Sequence, residues 1–232
     1  MSKRAARGSG LSWGLAEEAA KGTRWLSAFN LPGAALLAQL LEMNDRLPLV
    51  DVSPVSLRAT SWRAPSGRLS PLIAGASLSD CAVQLMERGS ITMEHLCVPL
   101  LAVPFMGGAA LRLQNPVAVA WDGLKLTTDG HHLSLEGDTE KLTINLAERV
   151  TFYAPAEMIG HRKPVIRANV SPEDWGRLAI FAHRTFAPAT EESPLHALRQ
   201  RLWTVSHSGA SKYQLIHSER YHNGHYRNPF AY

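Results

Sequence analysis

Three groups of residues have types and spacings that could do chemistry. Gly10-Leu11-Ser12-Trp13-Gly14 has the G-x-S-x-G spacing of a serine nucleophile elbow. Such an elbow needs a buried strand before the serine and a helix after it, which together hold the hydroxyl exposed on a sharp turn. The residues ahead of it, Ser2-Lys3-Arg4-Ala5-Ala6-Arg7-Gly8, are basic and helix-like. Ser12 therefore reads as a helix N-cap, with a serine hydrolase as the alternative. The second group is the acidic pair Glu17-Glu18, on one helix with Trp13, Lys21 and Arg24. The plain reading is a packing helix with a solvated charged edge, its Trp13 and Trp25 buried. The sharper reading makes Trp13, Glu17, Glu18 and Arg24 the rim of a binding site, joined by Arg63 from a loop rich in arginine (Arg58, Arg63, Arg68). In an enzyme of this kind the arginines would hold a small anionic metabolite, and Glu17 or Glu18 would be the acid and base.

Histidine and cysteine form the third group. His131-His132 reads as part of a strand, where neighbouring rings point to opposite faces and cannot chelate one metal side by side. Cys97 follows Glu94-His95 on a strand-like segment, and a core thiol is a simpler reading there than a Cys–His pair. Gly107-Gly108 suits a tight turn as well as an approach to phosphate. His217, His222 and His225 are loosely ligand-like in spacing. No spacing calls for a metal, a nucleotide or another cofactor, so none is expected. The functional reading is a non-catalytic binding or accessory protein, with the small-anion enzyme and the serine hydrolase as alternatives.

Composition narrows the partners. Of 232 residues, 45% are hydrophobic and 19% charged, the balance of an ordinary globular chain. The net charge of +4 is mild, and no block of Lys and Arg interleaved with aromatics is there to neutralise nucleic-acid phosphates. The longest apolar run, 96–106, is too short for a bilayer and contains Pro99 and Pro104. Cys81 and Cys97 lack metal-ligand spacing and no apolar signal stretch is evident, so they read as reduced, buried thiols of a cytoplasmic protein. The partner expected is a protein or a small ligand, not nucleic acid and not a membrane.

The elements that must position these residues follow from periodicity and turn chemistry. A helix from Ser12 breaks at Asn30-Leu31-Pro32-Gly33. A second, with Leu36, Leu37, Leu40 and Leu41 on one side, ends near Asn44-Asp45, and the two make a helical hairpin. Residues 49–52 and 55–57 read as short strands, 60–70 as a loop, and Ser70-Pro71 as the start of a helix that ends at Gly89. Runs 117–121, 124–128, 131–135 and 142–146 alternate, with Asp122-Gly123 and Asp129-Gly130 between the first three, which predicts an antiparallel meander. Its wet face would carry Lys125, Thr127, Thr143 and Asn145. Residues 151–153 and 165–170 could add strands. Ser171-Pro172-Glu173-Asp174 caps a final helix through Trp175, Leu178 and Phe181. The fold class is α+β: an antiparallel β-meander packed with an N-terminal helical hairpin and a C-terminal helix.

The run Lys3-Arg4-Ala5-Ala6-Arg7-Gly8 followed by Ser12-Trp13-Gly14-Leu15-Ala16-Glu17-Glu18-Ala19 resembles the opening of a bacterial family of unknown function, common in alphaproteobacteria. Phe186-Ala187-Pro188-Ala189-Thr190-Glu191-Glu192-Ser193 resembles its closing segment. The resemblance spans 1–193 as a single domain. It implies a stand-alone cytoplasmic protein and brings no activity, cofactor or catalytic residue. It also implies a fuller N-terminal helix and a short glycine-rich end in relatives. Here the chain runs on as an atypical tail, 194–232, which holds Tyr213, Tyr221, Tyr226 and Tyr232 and five of the ten histidines; 195–205 could form a helix, and 206–232 has little apolar periodicity. The expectation for that tail is disorder and an origin in a shifted reading frame.

Overall fold

The computed structural model describes residues 1–165 and 170–186. The basic run forms helix α1, Ser2–Gly8, and the chain turns at Gly10 (φ +101°) into α2, Trp13–Ala28. Ser12 caps α2, its Oγ accepting the Leu15 N–H at 3.4 Å. After four residues, 29–32, α2 gives way to α3, Gly33–Met43, which buries Leu36, Leu37, Leu40 and Leu41. Gly33 lets α3 start hard against α2, since a Cβ there would sit 2.5 Å from the Thr23 carbonyl oxygen.

Residues 49–57 depart from the expected strands. Pro48 and Pro54 bracket the stretch, and Leu49–Val52 winds into a 3₁₀ turn, the Asp51 N–H donating to the Pro48 carbonyl at 3.0 Å. Val55 to Leu57 is irregular. The loop that follows hides a two-residue strand, β1 (Ser61–Trp62), and Trp62 is wholly buried with its indole N–H on the Ala59 carbonyl at 3.0 Å. After Ser70 the expected single helix is two: α4, Pro71–Asp80, and α5, Val83–Arg88, closed by Gly89 at φ +76°. A tight turn at Cys81-Ala82 separates them, which leaves Cys81 only half-buried and Val83 exposed. Gly107-Gly108 is no turn. It lies inside α6, Val103–Leu113, where a Gly107 Cβ would be 3.7 Å from the Trp25 ring.

Strand β2 is Ser90–Cys97, and β3 (Val117–Trp121) and β4 (Leu124–Thr128) follow as the alternation predicts. Asp122 (φ +44°) and Gly123 (φ +82°) both take left-handed backbone, as a two-residue type I′ hairpin requires. The next strand starts later than expected: β5 is Leu133–Gly137, and His131-His132 stands in the turn before it. The Asp129 carboxylate takes the N–H groups of both histidines, at 2.8 and 2.7 Å, and so removes them from the ladder. Residues 142–146 also correct the reading. Thr139–Thr143 is a 3₁₀ turn, capped by Asp138 on the Glu140 N–H, and the strand β6 runs from Leu146 to Tyr153. The signal was hidden because β2 and β6 change phase together. Leu96 pairs with Ala147 and Met93 with Val150, all four buried though three apart along each strand. His95, at φ +51°, sits within that offset.

The sheet order is β1-β2-β6-β3-β4-β5, antiparallel except for β1 beside β2. One face is an apolar row, Ile91–Phe152–Val119–Leu126–Leu135 across five strands, with Trp62–Met93–Val150 beside it. Helices α4, α5 and α6 pack against the sheet, and α2 packs on α4 and α6. The other face carries Lys125 paired with Glu136 at 3.2 Å. Thr127, expected to be wet, is fully buried there, because 154–162 folds back over that end of the sheet. Ser134 Oγ donates to the Ile159 carbonyl at 2.7 Å, and Leu133 and Arg162 exchange backbone hydrogen bonds.

Helix α7, Pro172–His183, starts at Ser171, whose Oγ accepts the Asp174 N–H at 3.0 Å. It lies against α1 so closely that a Cβ on Gly8 would fall 1.8 Å from the Phe181 carbonyl oxygen. Two charged forks tie α7 to the end of α3: Arg177 to Glu42 at 2.7 and 2.9 Å, and Arg184 to Asp45. The protein is α+β, with seven α-helices and six strands among the described residues, and Met1–Phe186 is one compact unit. Among the described residues no helix is long and apolar enough to cross a membrane. The strand considered for 165–170 and the tail 194–232 lie, wholly or mostly, outside the described residues.

Candidate functional site

A cleft of about 800 Å³ lies where α1, the start of α2 and α7 meet. Helix α1 supplies Lys3, Arg4 and Arg7 to it, α2 its first residue Trp13, and α7 Trp175 and the adjoining Arg184. The helical period accounts for this set: Lys3 and Arg7 are one turn apart, and Ala5 and Ala6 turn inward, fully buried. Trp13 and Trp175 are not core residues as the apolar pattern suggests. They are 67% and 53% exposed, a large accessible aromatic surface for one small region. Trp25 is partly buried and packs on Phe29, ring centres 4.6 Å apart.

The cations are arranged on aromatic rings. The Arg7 guanidinium lies 4.8 Å from the centre of the Trp13 ring and Lys3 Nζ 5.7 Å from it, and Arg4 lies 5.6 Å from Phe186. Arg7 also donates to the Leu11 carbonyl, which holds its head at the cleft. Lys3 pairs with Glu17 at 3.2 Å, and Arg184 is held by Asp45, whose carboxyl its hydrogen bond keeps below the usual range. Arg4 and Arg7 have no carboxylate within 4.0 Å among the described residues. Among the described residues the cleft's cations outnumber the carboxylates paired with them, and a guanidinium without such a partner can take an anion.

The five residues singled out in the sequence do not meet in one place. Trp13 lines the cleft just described. Glu17 and Arg24 border a shallower groove of about 420 Å³ on the far side of Lys3. Glu18 faces a depression of about 200 Å³ with Trp25 and Pro104, and Lys21 neutralises it at 2.9 Å. Arg63 stands with Ser61 and Glu94 at a depression of about 300 Å³ beside β1 and β2. Of the other loop arginines, Arg68 turns inward to the Met43 carbonyl at 3.1 Å, and Arg58 is exposed. Ser12 follows a helix, not a strand, so the elbow geometry is missing. What the sequence reading overlooked is that the cations of α1, read only as a basic, helix-like run, line a cleft. Its lysine and arginines at positions 3, 4 and 7 were a signal, but nothing in the chain order announced that Trp175, more than 160 residues on, would face them.

No curated protein and no solved structure matches the chain. The resemblance to a family of unknown function has a narrower counterpart than its expected span of 1–193: residues 1–70, from α1 through α3 to the start of α4, match the family model described as "Protein of unknown function (DUF3726)".

Proposed function

We propose that this protein is a non-catalytic binding or accessory protein, working in the cytoplasm, whose cleft between α1, α2 and α7 receives an anionic ligand or an anionic segment of a protein partner. One observation carries the reading: Arg4 and Arg7 without carboxylate partners among the described residues, set beside two exposed tryptophans in one concavity of about 800 Å³. That volume is in the range of small-ligand sites, and guanidinium with aromatic surface is the pairing that anion and interface recognition favour. The acid/base alternative is less well supported. Glu17 and Glu18 are about half exposed and each is already paired with a lysine, Lys3 or Lys21. The test is a fluorescence titration with 8-anilinonaphthalene-1-sulfonate, an aromatic anion, against the wild type and an Arg4→Glu/Arg7→Glu double variant. Saturable binding that weakens at least about tenfold in the variant supports the reading. Equal binding by both proteins overturns it.

A further inference from the structure

The turn between β4 and β5 holds a second constellation, separate from the cationic cleft. Asp129 sits behind His132: its Oδ2 is 2.9 Å from His132 Nδ1, while its Oδ1 accepts the backbone N–H groups of His131 and His132. The turn is braced from both sides. Thr128 Oγ1 donates to the His132 carbonyl and accepts the Gly130 N–H, and Gly130 packs against Leu111 of α6. A second ring stands beside the first. The backbone exchange between Leu133 and Arg162 puts His161 next to His132, with ring centres 4.8 Å apart and planes at 67°. His161 is exposed, and about a third of the His132 side chain is.

We propose that His132 and His161 form a two-histidine site for a divalent transition-metal ion such as zinc, with Asp129 as the carboxylate that orients His132. Three features support this. A hydrogen bond from Nδ1–H to a carboxylate fixes the tautomer and leaves Nε2 with its lone pair free, the arrangement that metal-binding histidines commonly have. Two imidazoles bound to one tetrahedral ion at about 2.0–2.1 Å place their ring centres about 5 Å apart, close to the spacing here. The backbone on both sides is fixed by hydrogen bonds, so little ordering is needed on binding. Among the described residues no set of three or more His, Cys, Asp and Glu forms a metal-binding group; in the proposed site, water or a donor on an incoming ligand completes the coordination.

The experiment is zinc chloride added stoichiometrically to the full chain at neutral pH, read by the ring-nitrogen shifts of the histidines. The ring nitrogens of His132 and His161 should move together. His161→Ala, on an exposed segment, should abolish the His132 shift, and Asp129→Asn should weaken zinc about 10–100-fold. Zinc that moves only other histidines, or none, overturns the proposal. So does an unchanged His132 response in His161→Ala.

Discussion

Tryptophan shows how far a residue's type falls short of its role. Trp62, in a stretch that reads as a polar loop, is wholly buried between the sheet and its helices, whereas Trp13, on an apolar helical pattern, is 67% exposed. The two should differ sharply when truncated. Trp62→Ala should lower unfolding stability by about 3–5 kcal/mol, and Trp13→Ala should stay within about 0.5 kcal/mol of the wild type, both from urea midpoints. A large loss for Trp13→Ala would mean that its ring is packed rather than presented. Asp129 supports a pH prediction. Its carboxyl, ordinarily near 3.8, is held down to about 2 in the fold. A depressed carboxyl stabilises the fold above its unfolded value, and that contribution is lost as pH falls through the folded one. Acid titration should therefore remove part of the stability between about pH 4 and pH 2. Asp129→Asn should lose less over that window, and a parallel acid profile for the two proteins would contradict the assigned contacts.

At the scale of elements, three helices were the most legible part, whereas α4 and α5 read as one helix and α6 was not recognised. Capping serines, periodic leucines and helix-breaking Pro and Gly mark α2, α3 and the start of α7 within a residue or two, since each signal is local to its helix. Strands were legible only where a hairpin is local too, as at Asp122-Gly123. β6 is flanked by β2 and β3, partners distant in sequence, and its shared phase change with β2 breaks the alternation that a sequence reading needs. The cleft was illegible for the same reason, because it depends on α1 meeting α7 across the length of the domain. That contact rests on Gly8, where a side chain would collide with the Phe181 carbonyl. Gly8→Ala should cost about 1–3 kcal/mol by pushing α1 off α7, and should weaken binding in the cleft in parallel. Ser171→Ala removes the cap of α7 and should cost about 0.5–2 kcal/mol, measured in the same way.

The whole molecule divides its work between layers. The apolar face of the sheet with α4, α5 and α6 is a packing core, and the chemistry-bearing side chains stand at its margins: cations and tryptophans at the α1–α7 end, histidines at the β4–β5 turn. The residues matched by the family of unknown function, 1–70, include Lys3, Arg4, Arg7 and Trp13, while Trp175 and Arg184 come from beyond them. The proposed site, assembled from both parts, requires the fold to be complete before it can bind. The most direct measurement is an indole N–H spectrum of the six tryptophans during titration with 8-anilinonaphthalene-1-sulfonate. The account predicts that the signals of Trp13 and Trp175 move together and saturate together, while those of the buried Trp62 and Trp121 stay in place. Signals of Trp13 and Trp175 that stay fixed while the probe binds elsewhere would contradict it.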